Sequence, residues 1–139
     1  NKGRWDTRIL ATDISTRVLE KAVAGRYGRD SVRRLPERWR KNYFRHENGE
    51  YVVDERIKRE VIFRRFNLNK GTFPFKRKFH AIFCRNVMIY FDMKTRRELV
   101  DRFYEFTEPG GYLFVGHSES INRSETRYRY VMPAVYRKE

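Results

Sequence analysis

Four short polar groups stand directly after apolar runs: Asp13, Asn67-Leu68, Cys84-Arg85-Asn86 and Gly116-His117-Ser118-Glu119. In an open α/β sheet, ligands gather beyond the carboxyl ends of the parallel strands, so chemistry is expected from these positions. Three of the four groups begin with, or contain, a small polar side chain suited to a nucleoside. Asp13 can accept hydrogen bonds from both hydroxyls of a ribose, because their spacing matches its two oxygens. It can equally cap a helix that begins near Ser15. The Gly116-His117-Ser118-Glu119 group sets Ser, His and an acid side by side. A hydrolytic triad draws its members from separate elements, and no nucleophile elbow precedes Ser118. The triad is therefore rejected, and the segment is expected to be a loop that shapes the substrate opening.

The elements that must position these groups alternate along the chain. Arg8-Ile9-Leu10-Ala11-Thr12-Asp13 is a short apolar run closed by an acid, the pattern of a buried parallel strand. Ser15 is expected to cap a helix with the stripe Val18, Leu19, Ala22 and Val23, stopped by Gly25. A second helical stretch follows Asp30-Ser31, with Pro36 in its first turn and Trp39, Tyr43 and Phe44 as apolar contacts. Asn48-Gly49, flanked by Tyr43-Phe44 and Tyr51-Val52-Val53, predicts a two-residue hairpin turn. This reads as a small antiparallel insertion over about residues 43–63. Val61 to Phe66 is the next strand, ending at Asn67-Leu68. A basic loop with Gly71 and Pro74 then leads into the apolar strand Phe79-His80-Ala81-Ile82-Phe83-Cys84. Asp92 caps a long helix carrying Leu99, Val100, Phe103 and Phe106, which Pro109-Gly110-Gly111 is expected to end. Tyr112-Leu113-Phe114-Val115 is another buried strand, and residues 128–131 and 134–137, around Pro133, form an antiparallel pair at a sheet edge. Alternating strands and helices argue a three-layer α/β sheet.

The length of 139 residues fits one domain with a single core. Eleven Phe and nine Tyr exclude a disordered tail. The net charge of +14 attracts acidic partners. It is compatible with nucleic acid, with an acidic protein substrate, or with a basic solvated surface. The single Cys84 rules out an internal disulfide, and His46, His80 and His117 lack zinc-site spacing, so no metal is expected. With no run of eighteen apolar residues and no signal-peptide pattern, a soluble cytoplasmic chain without membrane insertion is expected.

Cys84-Arg85-Asn86-Val87-Met88-Ile89-Tyr90-Phe91, taken with Ile9 to Ile14, Val18-Leu19-Glu20-Lys21-Ala22, Asn67-Leu68 and Gly116-His117-Ser118-Glu119, closely resembles the chemotaxis receptor glutamate methyltransferases. The resemblance spans residues 9–136 in order and spacing, the hairpin insertion included. It implies a Rossmann-like, S-adenosylmethionine-dependent methyltransferase fold, with S-adenosylhomocysteine as product and glutamates on the cytoplasmic helices of methyl-accepting chemotaxis receptors as substrate. By the same resemblance, Asp13 is the ribose-binding acid, Asn67 and Leu68 hold the adenine ring, Arg85 and Asn86 line the cofactor pocket, and Tyr90 sits near the reactive methyl group. Without the family match, Tyr90-Phe91 reads as packing at a helix start and Asn67 as a turn amide.

The chain begins at Asn1 rather than Met. The family's glycine-rich cofactor strand should precede Trp5, and before it a small basic helical domain that contributes an arginine to the site. Neither is found in these residues. The sheet is therefore expected to be incomplete at its N-terminal side, with unpaired backbone groups at a central gap. Such a chain is expected to bind cofactor weakly or not at all, or to self-associate through the incomplete sheet. Two other readings stand beside the enzyme: a non-catalytic interaction module of the same fold, and a basic nucleic-acid-binding domain. The scattered basic residues match no recognised nucleic-acid motif, so no specific nucleic-acid partner is expected.

Overall fold

In the computed structural model, which describes residues 6–139, the chain divides into two compact units, one ending at Asn67 and the other beginning at Leu68. Residues 1–5, and the glycine-rich strand expected ahead of Trp5, lie outside the described residues.

The first unit opens with β1 (Ile9–Asp13) and α1 (Thr16–Ala24). Ser15 is the cap of α1, its hydroxyl accepting the Val18 N–H at 3.3 Å. Gly25 closes the helix at φ +62°, the left-handed conformation that glycine adopts without penalty, and its N–H reaches the Lys21 carbonyl. Of the expected stripe, Leu19 and Ala22 are half-buried, while Val18 and Val23 remain exposed. Next come β2 (Arg26–Tyr27), α2 (Arg29–Val32) and α3 (Glu37–Tyr43). The single helix expected here is two. Pro36 stands before α3 with extended backbone (φ −52°, ψ 140°), and a residue preceding proline is steered out of the helical region, so the chain breaks at Leu35-Pro36. Phe44 begins a strand instead of completing the helix.

β3 (Phe44–Glu47) and β4 (Glu50–Val53) form the predicted hairpin. Asn48 and Gly49 both have positive φ (50° and 76°), the signature of a primed turn whose twist suits the strands. The insertion differs from the expected residues 43–63. Its sheet has the order β2-β4-β3, so it recruits Arg26–Tyr27 and ends at Val53. A two-residue strand carries no periodicity by which a sequence could reveal it. After α4 (Glu55–Lys58), residues 61–63 belong to β5 (Val61–Arg65), which pairs in parallel with β1 from Ile9↔Val61 to Asp13↔Arg65.

The second unit contains β6 (Phe79–Cys84), α5 (Met93–Glu105), β7 (Thr107–Val115), β8 (Arg129–Met132) and β9 (Val135–Arg137). Its sheet order is β6-β7-β9-β8, parallel between β6 and β7 and antiparallel beyond. Asp92 caps α5 by accepting the Thr95 N–H at 2.7 Å, and that backbone bond holds its carboxyl below the usual range. Leu99, Val100 and Phe103 of α5 pack with Cys84, Leu113, Val115, Tyr128 and Tyr136 as one core. On the opposite face Phe83 stacks on Phe114 (4.5 Å between centroids) while 71% exposed.

Pro109-Gly110-Gly111 does not end the helix. α5 stops at Glu105 and the three residues lie inside β7, where the pairing slips from Phe79↔Thr107 to Ala81↔Tyr112. Gly110 takes φ +81°, and the irregular backbone is satisfied by the chain's end: Gly110 N–H donates to the Lys138 carbonyl at 2.7 Å and Lys138 N–H to that of Gly111 at 2.9 Å.

Thr107 is fully buried at the start of β7. Its hydroxyl donates to the Phe103 carbonyl at 2.6 Å, so the contact with Tyr128 must be filled by the Tyr128 hydroxyl donating to Thr107. Burial raises the Tyr128 phenol above its ordinary value, which keeps that proton in place. Thr107→Val preserves shape but leaves the tyrosine hydroxyl without its acceptor. It should destabilise the protein by about 2 kcal/mol, read as a lower urea midpoint.

Among the described residues no helix is long and apolar enough to cross a membrane.

Candidate functional site

In the first unit, the register Asp13↔Arg65 brings two of the expected residues to one end of a parallel pair, because Asn67 follows β5 by two positions. Asp13 Oδ1 accepts the Ser15 N–H at 2.8 Å, and its backbone carbonyl accepts the Phe66 N–H at 3.0 Å. Arg65 Nε adds a bond to the Ile14 carbonyl at 3.0 Å. The capping role weighed for Asp13 is thus held by Ser15. Asp13 turns the chain into the helix with one oxygen, while Oδ2 takes no hydrogen bond among the described residues. An oriented, half-buried carboxylate with an open oxygen suits a sugar diol.

In the second unit, the Leu68 carbonyl accepts a guanidinium N–H from Arg102 at 3.2 Å, and the same guanidinium lies over the Phe73 ring. The backbone at Leu68 is thereby tied to α5. Arg85 and Asn86 follow β6 and are exposed. Asn86 has φ +60°, a region in which asparagine is enriched among non-glycine residues. Tyr90 closes a 3-10 turn, Met88–Tyr90, and is 82% exposed.

Glu119, placed by sequence reasoning in a loop at the site's mouth, is 3% exposed. One carboxylate oxygen accepts the N–H groups of Asn86 and Gly116, and the other that of Met88 at 2.7 Å. A buried acid normally needs a cation or several donors, and here three backbone amides supply them. Gly116 makes room for this: a Cβ there would stand 2.6 Å from Glu119 Oε1 and 2.7 Å from Asn86 Oδ1. From the other side Arg96, on α5, donates to the carbonyls of Phe91 (2.9 Å) and Ile89 (3.3 Å). Neither residue carries a sequence signature, because their partners are backbone groups; an acid closing the loop after a buried strand was the only available cue.

Cys84 ends β6 beneath this loop. Burial pushes its thiol up to about 12, and the Glu119 charge adds to the shift. At pH 8 the thiolate is then roughly one part in ten thousand. Iodoacetamide should leave Cys84 unmodified in the folded protein at that pH and label it after urea unfolding, as mass spectrometry would show. Among the described residues no group of His, Cys, Asp and Glu is arranged to hold a metal ion.

Each unit has a pair of parallel strands, β1 and β5 in the first and β6 and β7 in the second, with helices in the connection and polar side chains after the strand ends, the features of a Rossmann-like α/β fold. The family model described as "CheR methyltransferase, SAM binding domain" matches residues 1–136, and the chain belongs to that family. It is 42% identical to the chemotaxis protein methyltransferase of Borreliella burgdorferi, over 99% of this chain and 49% of that protein. It is 38% identical to the chemotaxis protein methyltransferase of Escherichia coli, over 96% of this chain and 48% of that protein. A solved structure, the N-methyltransferase NodS of Bradyrhizobium japonicum WM9 with S-adenosyl-l-homocysteine, aligns with a TM-score of 0.47 at 16% identity, over 78% of this chain and 40% of that one. The chain spans about half the length of the curated relatives it matches.

Proposed function

We propose that this chain is the cofactor-binding portion of a protein-glutamate O-methyltransferase that uses S-adenosylmethionine and acts in the cytoplasm on the helices of methyl-accepting chemotaxis receptors. The reading is carried by the family match over residues 1–136. The polar groups at the carboxyl ends of β1, β5, β6 and β7 give it chemical support. Each unit offers groups of the kind the cofactor's nucleoside needs: in the first, the open Asp13 oxygen for ribose hydroxyls and Asn67 for the adenine edge; in the second, the backbone at Leu68 for the adenine edge, with Arg85 and Asn86 as further lining. S-adenosylmethionine, when bound, supplies a methyl group activated by a sulfonium charge.

The acceptor side needs little from the protein. A glutamate carboxyl has a pKa of about 4.3, so at neutral pH it is already ionised and no general base is required. The contribution of these residues is orientation, with Tyr90 standing where the acceptor and the methyl group meet. Exposure of Tyr90 agrees with a group that closes on a partner. The basic surface fits the same substrate. Arg33, Arg34 and Arg38 are exposed and form no ion pair among the described residues, so they are available to attract acidic receptor helices. The short Asn48-Gly49 turn favours direct docking on those helices over capture of a tethering peptide.

The test is transfer of labelled methyl groups from S-adenosylmethionine to receptor cytoplasmic fragments by the intact protein. Label released as methanol in mild alkali identifies a carboxyl ester. Alkali-stable label, or no transfer, overturns the reading.

A further inference from the structure

The loop between β6 and α5 is held from two sides. Its N–H groups at Asn86 and Met88 point into the buried carboxylate of Glu119, and its carbonyls at Ile89 and Phe91 receive the guanidinium of Arg96. An anion thus takes two donors of the loop and a cation two of its acceptors. Glu119 is joined by the same carboxylate to the Gly116 N–H at 2.9 Å, so the end of β6 and the end of β7 share one anchor. Asn86, at φ +60°, stands in this anchored segment in a conformation that asparagine adopts more readily than other side-chain-bearing residues. Met88 is buried in the core and Val87 and Phe91 pack against it, while Arg85, Asn86, Ile89 and Tyr90 are on the surface. For the exposed residues, the hydrogen bonds to Glu119 and Arg96 add a restraint that core packing does not supply.

We propose that Glu119 and Arg96 are positioning residues for the reaction, an anion and a cation that together set the loop presenting Asn86 to the cofactor and Tyr90 to the transferred methyl group. This rests on the methyltransferase reading. Neither side chain touches the reacting atoms in this account; each acts through the backbone it fixes. In-line transfer is sensitive to placement, and a displacement of about 1 Å in a positioning element can reduce a rate about a hundredfold. Gln at position 119 keeps the size of the side chain but replaces one acceptor oxygen by an amide donor facing a backbone N–H, so one arm of the anchor turns repulsive. Leu at position 96 removes both donors to the loop carbonyls.

The experiment compares Glu119→Gln, Arg96→Leu and Thr107→Val in the intact protein, below the melting temperature of each. Thr107 is buried and hydrogen-bonded in the same unit, but at the opposite end of β7, so it controls for lost stability alone. For Glu119→Gln and Arg96→Leu, affinity for S-adenosylhomocysteine per folded molecule should fall about tenfold or more, and kcat at saturating substrates by about ten- to a hundredfold. Thr107→Val should lose stability and keep both values. Without any ligand, the Tyr90 and Phe91 amides should exchange with solvent at least about tenfold faster in the two loop variants and not in Thr107→Val. Wild-type affinity, kcat and loop exchange in Glu119→Gln, with only a lower melting temperature, would overturn the proposal. Failure of the unsubstituted full-length protein, as distinct from this chain alone, to bind S-adenosylhomocysteine would instead sink the methyltransferase reading, and the ligand-free exchange rates would then decide by themselves whether the two residues hold the loop.

Discussion

Replacing Asp13 by Asn is expected to weaken the binding of S-adenosylhomocysteine to the intact protein by one to two orders of magnitude, with little change in melting temperature. The asymmetry follows from how the two carboxylate oxygens are used. Oδ1 accepts the Ser15 N–H and turns the chain from β1 into α1; an asparagine carbonyl can keep that bond. Oδ2 is open, and in Asn its place is taken by an amide that donates where a ribose hydroxyl must also donate. Hydrogen bonds to a charged group contribute about 1.5–3 kcal/mol, which corresponds to roughly a 10- to 150-fold change in affinity. Asp13→Ala should show the same loss of binding and, in addition, lower thermal stability through the freed Ser15 amide. Calorimetric titration and melting curves on both variants separate the roles. Binding by Asp13→Asn at wild-type strength would leave Asp13 as a turn residue only.

Gly111→Ala should be the most damaging small substitution in the second unit, costing about 3 kcal/mol. A Cβ at this position would stand 2.8 Å from Thr107 Cγ2, and 2.9 Å from each of the backbone carbonyls of Glu108 and His80. Two of these neighbours are backbone and have no rotamer by which to yield, so β6 and β7 must part or the irregular segment of β7 must unfold. Overpacking a tight site costs about 1–3 kcal/mol, and the absence of a flexible neighbour puts this one at the upper end. Lys138 and Val115 report on the damage, since their N–H groups bond to the carbonyls of Gly111 and Ala134. Exchange of both amides should accelerate about a hundredfold; a change under about threefold would mean that the bulge accommodates the methyl group.

Gly111 also shows where sequence reading stopped. Proline and glycines after an amphipathic stretch signal a helix end, and the helix does end there, but through Phe106 and without help from the glycines. Their work is in the strand, where a bulge needs a left-handed residue and close approach of β6 needs a missing side chain. The elements most legible in advance had local causes: the Ser15 and Asp92 caps, the Gly25 stop and the Asn48-Gly49 turn. Those that were missed depend on partners distant in the chain. Arg26–Tyr27 becomes a strand only because β4 is there to pair with it. The candidate site divides in the same way. Strand ends could be located from apolar runs, so all four polar groups, Glu119 included, could be named, while the roles of Asp13, Asn67, Leu68, Arg85 and Asn86 came from the resemblance. The work of Glu119 could not be read, because a carboxylate that serves backbone amides is chosen by geometry, and the sequence shows only an acid in a loop.

The three-stranded antiparallel sheet lies wholly within the connection between β1 and β5. Parallel pairing of these two strands requires the chain from Ile14 to Glu60 to return on itself, and the entropy of closing a flexible loop rises with its length. Hairpin formation, by contrast, is a local event of about 1–10 μs. Once β3 and β4 have met and β2 has joined them, the Gly25 carbonyl is bonded to the Val53 N–H, and most of the intervening chain is already short-circuited. What remains to be closed is α1 on one side and α4 on the other. The insertion is therefore expected to act on the order of folding, turning a distant encounter into a near-neighbour one. Destabilising the Asn48-Gly49 turn should therefore appear first in the rate at which β1 and β5 find each other.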